Sequence, residues 1–289
     1  MFKTIFSFFL LLAVSAFPAS AKPPLVVASI KPLQSLVAMV MEGVGSPYLL
    51  VRNNASPHDY VLRPSDASTL EKADLVFWIG PRLETALARP LKTLAARAEI
   101  VAFADVKTLI RLPLLTGDGI NMHFWLDPEN AILMVQKIAD ELTRLDPDNG
   151  ERYRQNALGA SASLRDLSAE ISAILKPVSS QKFITFHNAY RYFEKRFSLT
   201  ALASITINPQ TSPGVRRIKQ IQQLIASNNV GCVFSEPQFS PRLINAISQG
   251  SGVKIGILDP LGANLEPGAG LYFQLLRDMA LAMADCLKG

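Results

Sequence analysis

An apolar stripe runs from Tyr153 through Ala157, Ala160, Leu164, Leu167 and Ile171 to Ile174, in steps of four and three residues. Side chains three and four apart share one face of an α-helix. The stripe therefore predicts a helix of about 30 residues, roughly 45 Å long at 1.5 Å per residue. Asp146-Pro147 opens it as a capping carboxylate followed by a first-turn proline, and Pro177 stops it. A helix this long can pass along the back of two lobes and join them. The alternative is two shorter helices broken near Gly159.

On either side of the stripe the chain repeats one pattern, a short apolar run, a polar turn and then a helical period. Before it, runs at 25–29, 48–51, 75–79 and 99–102 read as strands. Pro32 opens a helix with Leu33, Leu36, Val37 and Val40 on one face, and Asp127-Pro128 opens another with Ile132, Val135, Ile138, Leu142 and Leu145. After it, runs at 182–186, 231–234 and 253–258 read as strands ending at His187, Ser235-Glu236 and Asp259-Pro260. Continuous apolar runs are the mark of buried parallel strands, and alternation with helices predicts an α/β fold. The expected division is an N-terminal lobe over 22–145, a linking helix over 146–177 and a C-terminal lobe over 178–289.

The first 21 residues read as a secretory signal. Lys3 is basic, residues 5–14 are apolar apart from Ser7, and Ala19-Ser20-Ala21 suits cleavage after Ala21. The apolar run is too short to span a bilayer, and no cysteine follows it to carry a lipid, so a soluble, exported chain is expected. The formal charge of the whole chain is +5, of which Lys3 leaves with the signal. No dense Lys/Arg run marks a nucleic-acid face; Arg216-Arg217 with Lys219 reads as a solvated helix face. In an oxidising compartment the even pair Cys232 and Cys286 suggests a disulfide, with two buried free thiols as the alternative.

The chain has three histidines, in Ser56-Pro57-His58-Asp59-Tyr60, Met122-His123-Phe124-Trp125 and Thr185-Phe186-His187-Asn188. They meet only if folding brings them together. Imidazole is the commonest protein ligand for zinc, and ligands bind beyond the carboxyl ends of strands in open α/β sheets. His187 and Asp259 each directly follow a strand, His58 lies in the loop after 48–51, and His123 precedes a capped helix. Three neutral imidazoles and one carboxylate suit tetrahedral Zn²⁺. Asp259 before proline has a second reading, as the cap of a turn. Asp59 and Asp127 read as turn and cap residues, and Glu236 takes no role at this level. HExxH, GxSxG, GxxxxGK[ST] and strand-following GxGxxG patterns are absent, which lowers the odds of a hydrolase or a nucleotide enzyme.

A family resemblance rests on these segments together: Pro57-His58-Asp59-Tyr60 with Arg63-Pro64-Ser65-Asp66, His123-Phe124-Trp125-Leu126-Asp127-Pro128, Thr185-Phe186-His187-Asn188-Ala189-Tyr190, Ser235-Glu236-Pro237-Gln238-Phe239 and Leu258-Asp259-Pro260-Leu261-Gly262. With the signal sequence, they resemble the periplasmic metal-binding receptors of ABC importers (cluster A-I), and most closely the zinc-uptake branch. The resemblance implies two (β/α)4 lobes with parallel sheets on one long backbone helix, and a metal site in the interlobe cleft. It implies that His58 and His123 come from the first lobe and His187 and Asp259 from the second. It also implies a non-enzymatic, monomeric receptor that delivers Zn²⁺ to an inner-membrane ABC permease. Manganese receptors of the family usually carry a carboxylate where this chain has His187, and imidazole prefers zinc. The Cys232/Cys286 pair looks like the second-lobe disulfide of some zinc members. Many zinc receptors have a long His-rich acidic loop before the second ligand. Here 105–121 is short and lacks histidine, so zinc is expected to arrive from a separate metallochaperone or through the main site alone.

The rival expectations are a manganese or other divalent-metal receptor of the same fold, a secreted zinc hydrolase with an open water position, and an adhesin. Because histidines bind metal only when neutral, zinc affinity is expected to fall as pH drops through about 6.5.

Overall fold

The computed structural model describes residues 22–52, 54–114, 118–206 and 209–288. The signal segment 1–21 lies outside these residues, as do Thr116 and Gly117 of the loop before His123. The elements in chain order are β1 (Val26–Ala28), α1 (Lys31–Val40), β2 (Tyr48–Leu49), α2 (Pro64–Leu70), β3 (Leu75–Trp78), α3 (Ala88–Leu94), β4 (Glu99–Ala102), α4 (Pro128–Leu145), α5 (Gly150–Leu175), β5 (Phe183–His187), α6 (Arg191–Arg196), β6 (Ala203–Thr206), α7 (Val215–Asn228), β7 (Cys232–Ser235), α8 (Arg242–Ser248), β8 (Lys254–Ile257) and α9 (Leu271–Leu287).

The strands form two parallel four-stranded sheets, ordered β2-β1-β3-β4 and β6-β5-β7-β8. Both halves thus use one topology. In each, the strand order reverses at the central pair, β1/β3 and β5/β7. At such a switch point neighbouring crossovers leave on opposite faces and open a crevice beyond the strands' carboxyl ends.

Local sequence explains the helices that frame this crevice. Pro32 sits in the first turn of α1, and Leu33, Leu36, Val37 and Val40 are fully buried. Asp127 caps α4 by accepting the Glu129 N–H at 3.0 Å. The predicted long helix is α5, 26 residues that pass through Gly159 without a break. It starts later than Asp146-Pro147 because Pro147–Asn149 makes a 3₁₀ turn first, with the Tyr153 hydroxyl donating to Asp146 Oδ2 at 2.7 Å. Its stripe packs against α1 and α4 on one side and α9 on the other. One continuous apolar core therefore runs from the first sheet through α5 to the second.

Strand β6 lies outside the predicted set. Its sequence Ala-Ser-Ile-Thr alternates rather than running apolar, and it is an edge strand held partly by a Thr185–Ser204 hydroxyl bond of 3.0 Å. Arg216 and Lys219 lie exposed on α7, as a solvated face, while Arg217 turns back to donate to Ser204 and Ile205 carbonyls of β6. Cys232 of β7 and Cys286 of α9 are joined in a disulfide with a Cα–Cα distance of 5.9 Å. Among the described residues no helix is long and apolar enough to cross a membrane.

Candidate metal centre

The three imidazoles converge between the lobes. One ring nitrogen from each of His58, His123 and His187 lies within 4.8 Å of the other two. His187 ends β5 and reaches the crevice at the second sheet's switch point. His123 closes the loop after β4, immediately before the 3₁₀ turn that leads into α4. His58 lies in the loop between β2 and α2. His123 and His187 are 8% and 3% exposed.

The hydrogen bonds around the two buried rings fix which nitrogen faces the centre. Asn121 Oδ1, an acceptor, takes the His123 backbone N–H at 2.9 Å and sits 2.9 Å from His123 Nδ1, so Nδ1 carries the proton. His187 Nδ1 lies 2.6 Å from Glu236 Oε1, and a buried carboxylate there likewise places the proton on Nδ1. Each ring then points a lone pair at the other, with the two Nε2 atoms only 3.2 Å apart. Such a contact is repulsive unless a cation is shared. On His123 a proton is disfavoured, because burial holds its pKa well below 6.5. A tetrahedral zinc with Zn–N bonds of 2.0–2.1 Å needs ligand nitrogens about 3.3–3.4 Å apart, so the spacing suits one ion.

His58 completes the triangle from the first lobe. Its ring centroid is 5.8 Å from that of His123 and 6.0 Å from that of His187. Burial, with His187 nearby, lowers its pKa to about 4. Its ring makes no hydrogen bond among the described residues, but its backbone is tied across the cleft, where Gln210 Nε2 donates to the His58 carbonyl and Asn54 Nδ2 to that of Pro237. Pro57, Trp125, Phe239, Pro260 and Leu261 wall the cavity with apolar surface, which keeps bulk water from competing for the centre.

Asp259 is placed differently. Its Oδ1 accepts from Leu261 N at 3.0 Å, Gly262 N at 3.0 Å and Gln238 Nε2 at 2.8 Å, and its Oδ2 from Ala263 N at 2.5 Å. Three of the four donors fall on Oδ1 and one on Oδ2, and together they turn the carboxylate into its own loop. Asp259 caps the loop after β8, the second of its two sequence readings, and lies outside the cluster of three imidazoles. Asp59 and Asp127 are likewise outside that cluster. Asp127 caps α4 and makes a two-pronged ion pair with Arg196 of the second lobe at 2.6 and 3.0 Å.

Two residues that sequence reasoning left without a role bear on the centre, Glu236 and Asn121. Glu236 had one signal, its position directly after a strand neighbouring the one that ends in His187. Asn121, two residues before His123, also spans the lobes by donating Nδ2 to Asn188 O at 2.6 Å. Nothing in its local sequence marks that.

Two matched parallel sheets on one spanning helix, with three imidazoles converging between them, define a bilobal solute receptor of the metal-binding class. Comparison with known proteins narrows this. The family described as "ZnuA: Zinc-uptake complex component A periplasmic" matches residues 26–286, and the chain belongs to that family. It is 40% identical to the high-affinity zinc uptake system protein ZnuA of Brucella suis biovar 1 (strain 1330), covering 91% of each chain. It is 34% identical to the protein of that name from Paracoccus denitrificans (strain Pd 1222), over 96% of this chain and 95% of that one. A crystal structure of a ZnuA deletion mutant with zinc bound superposes with a TM-score of 0.80 at 28% identity, covering 91% of this chain and 97% of that one.

Proposed function

We propose that this chain is a periplasmic receptor that captures Zn²⁺ between its lobes and delivers it to an ABC permease of the inner membrane. The observation that carries this reading is the pair of buried Nε2 atoms 3.2 Å apart, each with its Nδ1 proton already donated elsewhere. His58, His123 and His187 are the ligands. Four hydrogen bonds hold Asp259 in its own loop, outside the cluster of imidazoles, so a water in the fourth position fits the geometry better. The membership in a zinc-uptake family and the zinc named for its relatives support the same ion.

The remaining parts of the reading are cleavage after Ala21, work as a monomer, lobes bounded at 22–145 and 178–289 with the linker 146–177 between them, and no catalytic role. Supply by a metallochaperone agrees with the lack of histidine in 105–121. Manganese is disfavoured by a centre built of three imidazole nitrogens.

The test is metal content and zinc titration of the purified chain beside His187→Ala. One zinc per chain, weakened at least about 100-fold by losing one of three ligands, is expected. Absence of zinc, or titration indifferent to His187, would overturn the assignment.

A further inference from the structure

Lys31, the first residue of α1, is 6% exposed although it is a lysine in the first lobe facing the second. Its ammonium donates to three carbonyls of the loop after β8, those of Gly262 at 3.0 Å, Ala263 at 2.7 Å and Leu265 at 2.9 Å. An ammonium has three protons, so all are spent on this one loop. The same loop gives its N–H groups at 261, 262 and 263 to Asp259. The peptide unit joining Gly262 to Ala263 therefore has its C=O on Lys31 and its N–H on Asp259. Its dipole lies between a cation and an anion in the favourable sense. The loop continues into the metal cavity through Pro260 and Leu261, and Trp125 Nε1 holds the Pro260 carbonyl at 2.9 Å.

We propose that Lys31 is a positioning residue for metal selectivity. By clamping the 262, 263 and 265 carbonyls from the other lobe, it keeps Asp259 turned toward the backbone N–H groups of its own loop and so holds its carboxylate away from the ion. The ion then meets the ring nitrogens, which suit zinc, without the Asp259 oxygen that would favour manganese. Lys31 touches no metal; it acts through the loop and Asp259. When the clamp is lost, the loop peptides turn, Asp259 sheds donors, and its freed oxygen swings toward the imidazoles. The inference rests on the zinc-receptor reading.

The experiment is a competition titration of Zn²⁺ against Mn²⁺ on the purified wild-type chain and on Lys31→Met, Lys31→Gln and the double variant Lys31→Met/Asp259→Asn. Far-ultraviolet circular dichroism and thermal unfolding check that each is folded. In Lys31→Met the Mn²⁺ concentration that displaces half the zinc should fall at least about tenfold, the scale of losing a residue that holds metal-site groups in place. Lys31→Gln, which keeps two donors, should fall between it and wild type, and the double variant should return to the wild-type ratio. A folded Lys31→Met or Lys31→Gln with the wild-type ratio would overturn the proposal. So would a gain in Mn²⁺ binding that persists without Asp259. A purely structural role for Lys31 would weaken both metals together and leave the ratio fixed. A wild-type chain that binds no zinc would instead remove the reading beneath the proposal.

Discussion

Replacing Glu236 with Gln tests the centre without touching a ligand. The Glu236 carboxylate is 3% exposed and 2.6 Å from His187 Nδ1, and its second oxygen, Oε2, is buried without a hydrogen-bond partner among the described residues. An ion on His187 Nε2 would lie across the ring, about 6–7 Å from the carboxylate. At an effective dielectric of about 20, a dication and an anion at that distance attract by about 5 kcal/mol, an upper figure. Glutamine keeps an acceptor oxygen for Nδ1–H but loses the charge. Losses on removing groups that hold a metal-bound histidine run about 10–100-fold, or about 1.4–2.7 kcal/mol, so the expected cost is about 2 kcal/mol in zinc affinity, near 30-fold. Competition against a chelating dye would measure it directly. Thermal unfolding gives an independent reading, because zinc stabilises the native state in proportion to the logarithm of its affinity. At about 2–4 °C per kcal/mol for a chain of this size, the zinc-induced rise in Tm should shrink by roughly 4–8 °C. The metal-free variant should be no less stable than wild type, since a poorly paired buried charge has been removed. A dissociation constant within about threefold of wild type, far below the expected 10–100-fold, would show that Glu236 neither orients His187 nor balances the ion.

Three other outcomes follow from the same structure. The lowered pKa values of His58, about 4, and His123 mean that protons compete with zinc only under acid conditions. Protonation of these two ligands should therefore cost zinc affinity only below about pH 5, under the 6.5 of free imidazole; chelator competition on His58→Ala beside wild type checks it, and a His58-dependent loss of affinity centred at 6.5 would mean that this ring titrates as a solvated one. Glu84, fully buried and accepting from Ile79 N and Gly80 N, has its pKa raised by burial from 4.5 to about 7. Because the folded value exceeds the unfolded one, its contribution is complete below about pH 4.5 and lost as pH rises through about 7, a change of about 3 kcal/mol; urea unfolding of Glu84→Gln at pH 5 and pH 8 should lack that slope, and an unchanged slope would refute it. Cleaving the Cys232–Cys286 bond, which closes a 54-residue separation, should lower stability by about 4 kcal/mol on the chain-entropy model. Zinc affinity at 25 °C should be retained, because α9 carries no ligand, and loss of zinc binding on reduction would contradict this.

Seven of the eight strands and the spanning helix could be read from the chain because each carries its own signal, a short apolar run or a stripe with period near 3.6. Strand β6 escaped because half its residues are hydroxylic and one of its edges is free. The three histidines were legible for want of any others. Asp259 shows the limit of such reading. A carboxylate after a strand looks the same in sequence whether it faces an ion or its own loop, and the difference is made by four donors, one of them a side chain 21 residues away. Asn121 and Lys31 were invisible for a related reason, since their partners, Asn188 and the 262–265 carbonyls, are 67 and more than 230 residues distant.

The stitching between the lobes has a consequence for how such a receptor can evolve. Lys31, Asn54, Asn121, Trp125 and Gln210 all reach across to backbone carbonyls rather than to side chains. Every residue type supplies a carbonyl, so each contact is written into the gene on one side only. The receiving positions, such as Ala263 or Leu265, are free to drift while the donors are not. At these five contacts the accepting side can therefore change one residue at a time, whereas the Asp127–Arg196 ion pair, with a side chain on each lobe, ties two positions together.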